Sequence, residues 1–145
     1  MNALDRCKVF LDVTTDILRS GYHVRFRAGG GSMSPTIQPG EAITVEPAAA
    51  TEIKLKDIVL YQTGRGVIGH RVVRIANRKG ERVFLARGDA GQSAGEPVAA
   101  EQILGKVVAV EREGCNIDLE SRRAKMKQSI RAWALRLKSW IVRSG

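Results

Sequence analysis

The chain has 145 residues, 43% of them hydrophobic and 27% charged, which fits one globular domain with a real core and excludes a disordered chain. Its formal net charge of +9 is unevenly placed: residues 121–145 hold eight Lys and Arg and no acid, leaving 16 basic against 15 acidic residues in 1–120. A nearly neutral body argues against nucleic-acid binding, which needs a basic face of its own, and no run reaches the ~20 apolar residues of a membrane-spanning helix.

Residues 3–19 read as an amphipathic helix, with Leu4, Cys7, Leu11, Ile17 and Leu18 near helical spacing and Gly21 as its stop. The charges of Asp5, Arg6, Lys8, Asp12 and Asp16 scattered through it fit neither a signal peptide nor an anchor. The helix is expected to pack on the body or on a partner. Residues 22–28 alternate, Tyr22, Val24, Phe26 and Ala28 facing one way and His23, Arg25 and Arg27 the other, as in a half-exposed strand. His23 on the wet face reads as a solvated histidine.

The chain then enters Gly29-Gly30-Gly31-Ser32-Met33-Ser34-Pro35-Thr36-Ile37, closed by the turn signal Pro39-Gly40. Glycines open backbone conformations denied to other residues. Pro35 fixes one φ and biases Ser34 towards extended geometry. Such a segment is either a plain loop or a device that holds the Ser32 hydroxyl outward.

Strand signals recur at Ala42–Val45, Asp57–Gln62, Val67–Ala76, Arg82–Arg87 and Lys106–Glu111, separated by turns such as Thr63-Gly64-Arg65-Gly66. Short strands at this spacing predict a mainly β fold: a closed or coiled antiparallel sheet rather than βαβ units. Residues 90–100 read as a small-residue surface loop bordering a groove. Residues 121–143 read as a second helix, with Met126, Ile130, Trp133, Leu137, Trp140 and Ile141 on one face and basic residues around it. That pattern suits either an anionic membrane surface or docking on the body or a dimer partner. The organisation expected is therefore 1–21 helix, 22–120 β body and 121–145 basic helix.

Cys7 and Cys115 have no metal-like spacing and read as reduced thiols, a disulfide between them remaining open. No motif calls for a metal or an organic cofactor. The chemistry-bearing residues are few. A serine hydroxyl needs a base to take its proton, and His70, set mid-strand in Val67-Ile68-Gly69-His70-Arg71-Val72-Val73, has the pKa range for that work. By alternation His70 shares a face with Ile68, Val72 and Arg74. Asp89, in Arg87-Gly88-Asp89-Ala90, is a carboxylate at a strand end that could orient an imidazole.

The blocks Gly31-Ser32-Met33-Ser34-Pro35-Thr36-Ile37, Gly40-Glu41, Lys56-Asp57-Ile58-Val59, Gly69-His70-Arg71-Val72-Val73, Arg87-Gly88-Asp89 and Gln102-Ile103-Leu104-Gly105-Lys106-Val107 together resemble the type I signal peptidases. They belong to the superfamily that also holds the LexA-type self-cleaving repressors. The resemblance covers about residues 25–110. Histidine in the second box marks the variety found in the endoplasmic reticulum and archaea. It implies a coiled β body, a serine endopeptidase acting on an extended peptide, Ser32 as nucleophile, His70 as general base and Asp89 as the acid that orients it. It further implies an oxyanion site at the Gly31 and Ser32 backbone, and contacts to a substrate strand from Met33 and Pro35.

Departures from the family pattern are the missing membrane anchor, Gly30 where a hydroxyl donor often stands, Glu41 for aspartate, Lys56 where glycine is usual and Ala90 after Asp89. They leave two alternatives open: a peptide-binding module without catalysis, and a LexA-like chain that cuts itself. The partner expected is a peptide or protein substrate. The location expected is the cytosol or, through residues 121–143, the inner face of a membrane.

Overall fold

The computed structural model describes residues 1–91 and 93–120. The segment 121–143, expected to be a basic helix, lies outside the described residues.

Helix α1 runs Ala3–Arg19, the span its periodicity predicts. Its start is a capping box: the Asn2 side chain accepts from the Asp5 amide at 2.8 Å, and Asp5 accepts from the Asn2 amide at 3.2 Å. Gly21, at φ 88°, turns the chain out of the helix. The docked face is only part of the one expected: Leu11 and Leu18 pack on the core and Leu4 and Cys7 do not. Leu18, Thr14 and Thr15 are buried, whereas Leu4 is 81% exposed and Cys7 is exposed. The contact with the body lies from the middle of the helix to its C-terminal end: Leu18 joins the core, Leu11 packs against it, and Phe10 meets Phe26.

Eight strands follow: β1 (Val24–Arg27), β2 (Ala42–Pro47), β3 (Ile58–Thr63), β4 (Gly66–Arg78), β5 (Glu81–Arg87), β6 (Glu96–Ala99), β7 (Ile103–Arg112) and β8 (Cys115–Asp118). They pair antiparallel in the order β1-β2-β7-β3-β4-β5-β6, with β8 on β7. The body is mainly β with an N-terminal helix, as expected, but the sheet is not closed into a barrel: β1 and β6 are its two ends, and they do not pair. Cys7 and Cys115 are both exposed free thiols.

Two elements depart from the sequence expectation. The 90–100 loop contains β6, paired to β5 through Val83↔Ala99 to Ala86↔Glu96. A four-residue run with Pro97 carries little strand signal, and proline is tolerated there because β6 is an edge strand. β8 was not expected either. Its signal is the two-residue turn Glu113-Gly114, whose φ angles of 52° and 76° suit a tight hairpin.

Strand β3 organises the core. Ile58, Val59, Leu60 and Tyr61 are all buried, so this run is covered on both faces. Ile58 and Leu60 join Met33, Ile37, Val45 and Val107 on one side. Val59 and Tyr61 join Ile53, Val72, Phe84 and Val98 on the other.

The entry to β3 holds Lys56, where the resemblance expects glycine. Lys56 stands at φ 74°, a left-handed conformation that glycine adopts freely. Its amide donates to the Val72 carbonyl at 2.8 Å, so the conformation is held by the sheet. Left-handed geometry costs a side-chain-bearing residue about 1–2 kcal/mol, while glycine costs about 0.5–1 kcal/mol in chain entropy. Lys56→Gly is therefore expected to raise the melting temperature by about 2–4 °C. An unchanged or lower midpoint in a thermal melt would show that Lys56 is not strained.

Candidate active site

The serine segment forms a turn between β1 and β2. The Ile37 amide donates to the Met33 carbonyl at 3.0 Å, and Gly30 takes φ 70°. Met33 and Ile37 sink into the core and pin the turn, leaving Ser32 exposed beside β4.

Two clamps hold this turn. On one side Arg112 of β7 forks onto Glu41, with Nε to Oε2 at 2.6 Å and Nη2 to Oε1 at 2.8 Å. The same Nη2 donates to the Pro35 and Thr36 carbonyls, each at 3.2 Å. The Arg112 hydrogen bonds, with the Gln38 amide, bring the Glu41 carboxyl down to about 2. On the other side the Thr36 hydroxyl donates to Asp89 at 2.6 Å. Behind both, the Gly88 backbone presses on Ser32: a Cβ added at Gly88 would sit 2.5 Å from the Ser32 carbonyl oxygen. The Ala90 amide donates to that same carbonyl at 3.0 Å.

Ser32 and His70 meet. The Ser32 Oγ stands 3.2 Å from His70 Nε2, within hydrogen-bond reach of a base. His70 lies on β4 opposite Val59 of β3, on the face it shares with Ile68 and Val72; a bulge between Val72 and Arg74 breaks the expected alternation, so Ile75 rather than Arg74 packs with them. Burial lowers its pKa below the ordinary 6.5, and the negative charges of Glu96 and Asp89 only partly oppose this.

Asp89 does not take the place expected for it. Arg71 grips it with Nε to Oδ1 and Nη2 to Oδ2, both at 2.8 Å. Burial would raise the Asp89 carboxyl, but hydrogen bonds from Arg71 and Thr36 and the charges of Arg71 and Arg87 win, so its pKa lies below the usual value. The reason is alternation. Arg71 directly follows His70 and points from the opposite face of the strand, drawing the carboxylate away from the imidazole. Asp89 acts on His70 through its field and on Ser32 through the loop it anchors.

What touches the other ring nitrogen is Tyr61, whose hydroxyl is 3.2 Å from His70 Nδ1. That hydroxyl also donates to Glu96 Oε2 at 3.1 Å. Neither residue was singled out from sequence. Tyr61 reads as core in an apolar strand, and Glu96 lies in a stretch that reads as loop.

A cleft of about 310 Å³ opens beside Ser32 and His70. Phe26, Ala28, Gly29 and Gly30 form one wall, Val67, Ile68 and Gly69 the other, and Met33, Ile37 and Leu60 lie beneath. Met33 thus borders the cleft as expected. Pro35 does not: it sits exposed at the turn, its carbonyl facing Arg112. The Ser34–Pro35 bond is cis. Helix α1 also contributes, because Phe10 lines the cleft and meets Phe26 edge-on with ring centroids 5.1 Å apart.

Both walls end in free backbone. β1 pairs only with β2. Residues 66–70 of β4 pair with β3, while β5 joins β4 only from Arg71 onward. The outer edges of β1 and of 66–70 have no strand partner among the described residues. His23 is exposed, 4.0 Å from Glu46 and away from this cleft. No group of three metal-ligating side chains occurs among the described residues, and none of their helices is long and apolar enough to cross a membrane.

A scan against protein-family models finds no match for this chain, and a search of the curated proteins finds no significant one.

Proposed function

We propose that this chain is a serine endopeptidase of the signal-peptidase type, cutting an extended peptide. One observation carries the reading: a serine–histidine pair at 3.2 Å stands at the end of an apolar cleft flanked by two unpaired strand edges. A peptide laid in that cleft gains main-chain hydrogen bonds from either edge and buries alternate side chains in it.

In this reading Ser32 Oγ attacks the scissile carbonyl carbon as His70 Nε2 takes its proton. The tetrahedral intermediate collapses to an acyl-enzyme, and the leaving amine takes the proton from His70. Water then attacks the ester, giving a proton to His70, which passes it to Ser32 Oγ as the acyl C–O bond breaks and the peptide acid leaves. The oxyanion relies on backbone N–H groups at Gly31 and Ser32, since Gly30 offers no hydroxyl. One missing donor costs about 3–4 kcal/mol of transition-state stabilisation, which predicts a slow or substrate-restricted enzyme.

The test is incubation of the full chain with a fluorophosphonate, followed by mass spectrometry. The expected result is a single adduct on Ser32 that Ser32→Ala removes. A chain that binds extended peptides yet forms no adduct is the peptide-binding module instead. A discrete truncation of the untreated chain, lost in Ser32→Ala, makes it a self-cleaving one.

A further inference from the structure

The proton count around His70 assigns a tautomer. Glu96, as a carboxylate, can only accept, so the hydrogen bond at 3.1 Å uses the one proton of the Tyr61 hydroxyl. The Tyr61 oxygen can then meet His70 Nδ1, at 3.2 Å, only as an acceptor. A neutral imidazole has one N–H. It must lie on Nδ1, which leaves Nε2 bare and facing Ser32 Oγ at 3.2 Å. A serine base needs this form.

Resting on the serine-hydrolase reading, we propose that Tyr61 and Glu96 are the positioning pair of this site: together they hold His70 in the Nδ1–H tautomer and favour the imidazolium that forms during attack. No proton travels along the chain of contacts. The proton of Ser32 stops on His70 Nε2, and the Tyr61 hydroxyl keeps its own. That hydroxyl is suited to stay neutral, because burial and then the Glu96 charge push its pKa well above the ordinary 10.

The elements packed against the ring leave no closer candidate. β3 presents Tyr61, β6 presents Glu96, and the turn after β5 presents Asp89, already held by Arg71 and Thr36. The placement is also rigid. Tyr61 is fully buried in the cluster of Val59, Val72 and Phe84, which fixes where its hydroxyl points. β6 pairs Glu96 with Ala86, which brings the carboxylate to that hydroxyl across two intervening strands.

The test reads the tautomer without needing activity. The ¹⁵N shifts of the imidazoles are recorded through a pH titration, with His23→Gln to assign the only other histidine. The neutral His70 ring is expected to carry its proton on Nδ1 in the wild type. In Tyr61→Phe it is expected to revert to the Nε2–H form, and the fluorophosphonate rate to fall about 10–100-fold, less than the ~10²–10⁴-fold of general-base catalysis as a whole because His70 itself remains. In Glu96→Gln the His70 midpoint is expected to move to lower pH, since the charge favouring the imidazolium is gone. A wild-type ring protonated on Nε2, or a midpoint unmoved in Glu96→Gln, overturns the pair. A ring with the expected tautomer in a protein that never forms the Ser32 adduct keeps the pair and removes the hydrolase reading.

Discussion

His70→Ala is expected to slow phosphonylation of Ser32 by a fluorophosphonate, in which Oγ bonds phosphorus and fluoride leaves, by about 10⁴-fold or more, and to slow peptide cleavage about as much as Ser32→Ala does. In serine hydrolases, losing either partner costs nearly as much as losing both. On a free-energy scale that is about 5.5 kcal/mol of transition-state stabilisation. The wild-type pH profile carries a sign. Only neutral imidazole accepts the serine proton, and burial lowers the His70 pKa below 6.5. The rate is therefore expected to hold through neutral pH and to fall only as the pH drops through that lowered value. Stopped-flow or timed quench between pH 4 and 9 measures it. A rate that still climbs towards pH 9 would mean that a group with a higher pKa, such as a lysine, takes the proton.

The second large effect is expected at Gly88→Ala, a residue that touches no substrate. The added methyl carbon would lie 2.5 Å from the Ser32 carbonyl oxygen and 3.2 Å from the Ser32 Cβ. The obstacle is backbone and cannot rotate away, so either the serine turn or the β5 end must move. A displacement of about 1 Å at a reacting group costs about 100-fold in rate, whereas overpacking costs about 1–3 kcal/mol in stability. The expected variant melts only a few degrees lower yet reacts about 100-fold more slowly. Equal rates with a lowered melting point would show that the Gly88 contact holds the fold without aiming Ser32.

The clamps around the serine turn show how much of the site was readable. The glycines and Ser32, the strand-borne His70 and the Gly88-Asp89 step were all visible as blocks, because each is a local pattern. Which side chains pair with them was not. Thr36, Arg71 and Arg112 are ordinary residues in sequence, and they matter only because Thr36 and Arg71 meet Asp89 and Arg112 meets Glu41. The expectation for Asp89 differs from what is found because its carboxylate meets the Arg71 fork, where two charge-assisted hydrogen bonds form.

Local rules determined what they govern. The Asn2–Asp5 capping box and helical spacing set α1, alternation set β1 and β4, and turn chemistry marked where the chain reverses. Composition told of one globular domain, and the spacing of short strands told that it is mostly β. Only the tertiary structure decided which way the sheet stays open, and that Phe10 of α1 borders the cleft. It also decided that His70 Nδ1 meets the Tyr61 hydroxyl, itself bonded to Glu96, while Asp89 bonds Arg71 and Thr36. Those outcomes depend on contacts between residues far apart in the chain, which no window of neighbouring side chains encodes. Tyr61 and Glu96 are separated by 35 positions and meet only because β3, β4, β5 and β6 pair in that order.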